Sequence, residues 1–279
     1  MVNTRSEYEP DAIQAAKRVL LEIASVFEDD LDHIVFVGGT ACSLLFSQDT
    51  EPHEGTIDVD MAIDPAALSD YTDDTLEEKL IYANYQQVEG KKFRWDRRVR
   101  IDGRVISVMV EFLSGEYDGA RRYSEARAVQ GIYASVLRGM DIAFIDPRDI
   151  TISGLLPNGV MHEAAIKVCS PASLLAMKGI SIHERIKGAD KDAVDIDYIL
   201  RRYPDGLETL SRVFRSDAYV LDSLVQEGIR GIAKAFETLE SIGPASVASI
   251  DRYTDAEERA IIQQSAFQRA QRFLRLLKI

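Results

Sequence analysis

The sequence predicts an α+β protein in two parts, a mixed N-terminal half and a helical C-terminal half that divide near residues 165–170. Three observations carry this. Ile57, Val59, Met61 and Ile63 alternate with polar or small residues, the period-two pattern of a strand with one buried face. Asp102-Gly103 separates two strand-like runs and suits the paired positive φ angles of a type I′ hairpin turn. After Ser170-Pro171 the apolar spacing lengthens to that of helices, with Ser placed as cap and Pro at the first helical position. The expected domains are 1–168, mixed α/β, and 169–279, helical.

The elements follow in order. Ile13, Ala16, Val19, Leu20, Ile23 and Phe27 recur at helical spacing, which predicts a helix over Asp11–Phe27. His33–Val37 reads as a short buried strand stopped by Gly38-Gly39, with Thr40 as cap of a following helix through Leu45. Thr56–Ile63 is the next strand, and Thr72–Gln86 a helix with Asp73 and Asp74 at its start. The hairpin takes Phe93–Ile101 and Arg104–Phe112. Ile142–Ile145 is a further expected strand, and Pro157-Asn158-Gly159 a turn before Glu163–Val168. Helices are expected at Pro171–Arg185, Asp190–Arg202, Leu207–Phe214, Ala218–Leu239 and Thr254–Leu277.

Composition excludes several classes. Apolar residues are 46% and charged residues 28%, as in a soluble globular chain. No apolar run approaches the length of a membrane span, and the first ten residues lack the apolar core of a secretory signal, so a cytoplasmic location without membrane attachment is the default. Cys42 and Cys169 lie far apart without a Cys-x-x-Cys pair, which speaks against a disulfide scaffold or a cysteine-ligated zinc. His33, His53, His162 and His183 show no ligand spacing. A net charge of −13 disfavours broad affinity for nucleic acid, although basic residues cluster at 91–100 and 178–191, as a solvated face or a local cleft.

The chemistry concentrates on Asp58 and Asp60. On a strand, residues i and i+2 share a face about 7 Å apart, so the two carboxylates can hold one cation. A half-exposed strand with a polar outer face would show the same pair. Gly38-Gly39-Thr40, between a strand and a helix, allows backbone to approach a phosphate, and is also an ordinary tight turn. Glu111, near the end of an apolar strand, is a third acid, able to complete a two-metal site or to act as base, or simply to face solvent. Arg94 and Trp95 lie on the same hairpin. Trp95 is either core or a platform for a base.

Together, Val35-Phe-Val-Gly-Gly-Thr-Ala-Cys-Ser-Leu-Leu and Thr56-Ile-Asp-Val-Asp-Met-Ala-Ile resemble the signature of the polymerase-β-like nucleotidyltransferase superfamily. The second half, from Ser170-Pro-Ala-Ser-Leu-Leu-Ala-Met-Lys to Lys191-Asp-Ala-Val-Asp, resembles the AbiEii/AbiGii toxin family. The resemblance implies a nucleotidyltransferase domain with a small mixed sheet, followed by a helical domain. It implies Mg²⁺ or Mn²⁺ on Asp58, Asp60 and Glu111, and an NTP held by Gly38, Gly39, Thr40, Lys178 and Arg185. Lys178 and Arg185, seven residues apart, share a helix face from which both can reach a triphosphate. Asp195 would position Lys178 or the acceptor, and Lys191 belongs to the same motif. Asp192 also fits the plain preference for acids in a first helical turn. The family further implies an acceptor such as the tRNA 3′ end and a cognate antitoxin protein. The chain departs from compact members in a longer segment at Gln48–Gly55, in Thr40 for Ser and in Glu111 for Asp. Two other readings stand beside this one: the same chemistry on a small molecule or protein, which suits the acidic charge, and a non-catalytic binding protein on this scaffold.

Overall fold

The computed structural model describes residues 10–47, 57–68, 74–116, 127–184, 189–249 and 255–279. Arg185, His53, Asp73 and the Gln48–Gly55 segment lie outside the described residues. The chain forms two compact units. One comprises Tyr8–Leu45 with Glu54–Cys169, and the other is Ser170–Ile279 with the segment that begins at Phe46.

The first unit is a mixed sheet with a helix on one face. Helix α1 (Pro10–Val26) places Ala15, Ala16, Val19, Leu20, Ile23 and Ala24 on its buried face, as the spacing predicts. Strand β1 (Ile34–Val37) leads into α2 (Gly38–Leu45) and then β2 (Asp58–Ile63). Helix α3 (Leu76–Tyr82) precedes β3 (Gln86–Val88), β4 (Lys91–Ile101) and β5 (Arg104–Ser114). Strands β6 (Arg127–Val129), β7 (Ile132–Val136), β8 (Arg148–Leu155) and β9 (Met161–Val168) complete the unit. The sheet runs β3-β4-β5-β2-β1-β9-β8, with β7 beside the end of β5 and β6 paired to β7. Pairs β2/β5 and β1/β9 are parallel; β1/β2, β4/β5 and β8/β9 are antiparallel.

The β4–β5 hairpin turns at Asp102 (φ 46°) and Gly103 (φ 84°), the expected I′ geometry. That turn fixes which side chains face α1. Trp95, Val99, Ile101, Val108, Val110 and Phe112 are buried on that side, and Phe27 meets Phe112 edge-on at 5.9 Å between centroids. Arg97 reaches Glu22 of α1 through two bonds of 2.7 and 2.8 Å. Trp95 is therefore core, on the face opposite Asp58 and Asp60, and cannot serve as a base-stacking platform beside them.

Several expectations fail for local reasons. Ile142–Ile145 is not a strand: Met140–Phe144 forms a 3₁₀ turn after Gly139 (φ 79°), because a four-residue apolar run has no period to define it. The helix expected over Thr72–Gln86 shrinks to α3, started by a capping box between Thr75 and Glu78 and stopped before Asn84 (φ 63°). Asp74 stands just before the cap, and the first-turn acids are Glu77 and Glu78. Gln86 instead opens β3, and β3, β6, β7 and β8 had no expectation at all.

The second unit is helical: α4 (Pro171–Glu184), α5 (Ala189–Arg202), α6 (Gly206–Phe214), α7 (Asp217–Val220), α8 (Ser223–Ala235), α9 (Ile242–Ser249) and α10 (Ala256–Leu277). Ser170 Oγ accepts from Ser173 N at 3.1 Å, the cap expected of Ser-Pro. The helix expected over Ala218–Leu239 is interrupted at Asp222, whose carboxylate accepts from Leu224 N and Val225 N at 2.9 Å and starts α8 afresh. Helices α4 and α8 cross where Gly179 faces Gly228; a Cβ at either position would overlap backbone of the other helix. Phe214 meets Tyr219 and Phe273 edge-on at 5.6 Å, and Phe46 joins this unit against Tyr198 at 5.4 Å. No helix among the described residues is long and apolar enough to cross a membrane.

Candidate active site

The sheet register assembles the first group. Asp60 of β2 is the Cα partner of Glu111 on β5, and Glu111 is in turn the partner of Arg94 on β4. Asp58 stands two residues before Asp60 on the same face, exposed, whereas Asp60 is half-buried. The three acids thus share the face opposite α1. On the far side of Asp60 its partner is Val37, so the turn into α2 passes beside its side chain. Gly38 there has φ 67°, and a Cβ would overlap the Asp60 carboxylate. Glycine is required at 38 both for the backbone angle and for the acid beside it.

Thr40 is not the cap of α2, which begins at Gly38. Its buried hydroxyl donates to the Asp58 backbone oxygen at 3.1 Å, tying the helix to the strand that carries the acids. Gly39 lies half-buried in the first turn of α2. Burial pushes the Glu111 carboxyl above its ordinary range; Arg94, in direct ion contact with it, pulls the other way, and the Asp58 carboxylate pushes up again. Among the described residues, no three His, Cys, Asp or Glu side chains converge into a ready cation cluster. Asp58 and Asp60 nonetheless suit Mg²⁺ or Mn²⁺, which prefer carboxylate oxygen and usually retain waters or substrate phosphates as further ligands.

The second group lies in the helical unit. Lys178, on α4, donates to Asp192 Oδ1 at 2.8 Å and pairs with Asp195 Oδ2 at 2.6 Å, both on the first half of α5. Ser181, one turn beyond Lys178, donates to the other oxygen of Asp192 at 2.5 Å. Asp192 is fully buried and the Lys178 side chain is 12% exposed. Burial alone would push the lysine amine down, but the two carboxylates outweigh it and hold the amine protonated well above the ordinary lysine range. Lys191, by contrast, is half-buried beside this group.

Two partners escaped the sequence. Arg94 and Glu111 stand equidistant from the Asp102-Gly103 turn, so a two-residue hairpin pairs them. Ser181 could have been found at i+3 from Lys178. His183 bonds the Gly231 carbonyl at 2.9 Å, and Cys42 and Cys169 are both buried.

The chain matches no curated protein. Its two acidic groups, a carboxylate pair beside a glycine turn and a buried Lys–Asp–Asp set, stand on the motifs that resemble nucleotidyltransferases. The family model for the nucleotidyl transferase AbiEii toxin of Type IV toxin–antitoxin systems matches residues 19–278, and the chain belongs to that family.

Proposed function

We propose that the chain transfers a nucleoside monophosphate from an NTP to an acceptor hydroxyl, with Asp58 and Asp60 holding Mg²⁺ or Mn²⁺. One observation supports this above the others. Asp58 and Asp60 project from one face of β2, with Gly38 leaving room for the Asp60 carboxylate. In the reaction the acceptor oxygen bonds to the α-phosphorus, the bond to the bridging oxygen breaks, and pyrophosphate leaves with that electron pair. The cation, when bound, offsets the charge on the phosphate oxygens. Asp58 and Asp60 orient it, Gly38 and Gly39 let backbone approach the phosphates, and Thr40 keeps the Asp58 strand end in place through its bond at 3.1 Å. Glu111, raised by burial, is suited to receive the acceptor's proton.

The resemblance assigns triphosphate contact to Lys178 and Arg185 and the positioning of Lys178 to Asp195. The 2.6 Å pair between Lys178 and Asp195 supports the last of these. The acceptor we propose is RNA, with the tRNA 3′ end as first candidate, and the partner a cognate antitoxin.

The test is transfer itself. Purified protein with Mg²⁺ is given each labelled NTP and bulk tRNA, beside Asp58→Ala. Label should reach tRNA only with Asp58 intact, with the variant slower by at least about 10²–10³-fold. Metal-dependent NTP binding without label on tRNA would move the acceptor to a small molecule or protein. Transfer unchanged by Asp58→Ala would refute the site.

A further inference from the structure

We propose that Arg94 is a positioning residue that holds Glu111 away from the cation, so that Asp58 and Asp60 alone of the carboxylate row bind the ion. The inference rests on the reading that these two aspartates form the cation site. Its basis is the sheet register. Glu111 stands between Asp60 on one neighbouring strand and Arg94 on the other, and adjacent strands are about 4.8 Å apart, so its side chain can turn to either. It is in direct contact with Arg94, Nε to Oε1.

Repulsion explains the choice. A third carboxylate turned toward Asp58 and Asp60 would add negative charge to a face that already carries two. A guanidinium keeps its charge at any working pH, so Arg94 is a permanent counter-ion built into β4. Its position is set on both sides: the guanidinium also lies over the Phe93 ring, 5.5 Å from the centroid. The two side chains are only 30% and 18% exposed, so a cation recruiting Glu111 would leave a largely desolvated arginine without its partner. Glu111 therefore stays beside the ion without ligating it, and its carboxylate remains available to the acceptor.

The test is Mn²⁺ binding to the full chain without nucleotide, followed by calorimetry and by the Mn²⁺ electron spin resonance signal. Glu111→Gln should bind Mn²⁺ as tightly as the unmodified protein. Arg94→Met should release Glu111 to the ion and tighten binding by about tenfold. Arg94→Met with Glu111→Gln should return to the starting affinity, and Arg94→Lys, which keeps the charge and serves if Arg94→Met does not fold, should leave it unchanged. A loss of roughly 10–100-fold in Glu111→Gln alone, the cost of losing part of a metal site, would overturn the proposal while leaving the aspartate pair standing. Binding indifferent to Asp58→Asn and Asp60→Asn would remove both.

Discussion

The two acidic groups of this protein are made of the same residue types in opposite surroundings. On the sheet, Asp58 is exposed and Asp60 half-buried, and Arg94 is in ion contact with Glu111. In the helical unit, Lys178 sits between Asp192 and Asp195, with Asp192 fully buried and a hydroxyl on its second oxygen. Water reaches the first group and can be exchanged for a ligand. The second is closed upon itself, where desolvation makes any missing partner costly. Exposure, more than residue type, separates acids that can exchange ligands from acids that hold helices together.

The sharpest way to break this comparison is to remove the central cation. Lys178→Met removes the cation that stands between two buried carboxylates and should cost about 3–5 kcal/mol in denaturant unfolding. Adding Asp192→Asn and Asp195→Asn should recover most of the loss. A mild effect from Lys178→Met alone would mean that the group is wetter and freer than its burial indicates.

Much of this was legible in the sequence, and the reasons differ by region. The β4–β5 hairpin was readable because Asp-Gly admits one common turn, and α4 because Ser-Pro both caps and starts a helix. Asp58 and Asp60 were readable because alternation puts them on one face. Strands β3, β6 and β7 are three to five residues long and pair with adjacent segments, β3 with β4 and β6 with β7, so each is too short to show a strand period of its own. The break at Asp222 was hidden because apolar residues continue in helical phase on both sides of it. For the site, residue types are visible but partners are not: the bonds of Lys178 to Asp192 and Asp195 join two helices whose packing no local pattern specifies.

Smaller substitutions sharpen the same contrast. Ser181→Ala removes a donor from the fully buried Asp192 and should destabilise by roughly 1–3 kcal/mol. Heat or denaturant unfolding reads this directly, and no change would place water where Ser181 stands.

The smallest effect concerns Asp197, also on α5, whose carboxyl is raised by burial above its ordinary 3.8 despite pairing with Arg269 and the nearby charge of Arg201. A raised folded-state value means that the native chain holds this proton more tightly than the unfolded chain. Its contribution to stability therefore falls as pH rises through the window just above 3.8. Asp197→Asn lacks that term. The stability difference between the two proteins should move in favour of the unmodified chain as pH is lowered through that window. A constant difference across it would show that Arg269 fully offsets the burial.

The proposed transfer depends on the open carboxylates Asp58 and Asp60, whereas the closed set first holds its two helices together and keeps Lys178 charged. It is tested most directly by Asp58→Asn with Asp60→Asn, measured for nucleotidyl transfer and thermal unfolding on the same preparation. Transfer should be lost while the protein still shows a cooperative unfolding transition, because neither substitution opens a cavity in the buried core. Transfer that persists, or that disappears only because the protein unfolds, would contradict it.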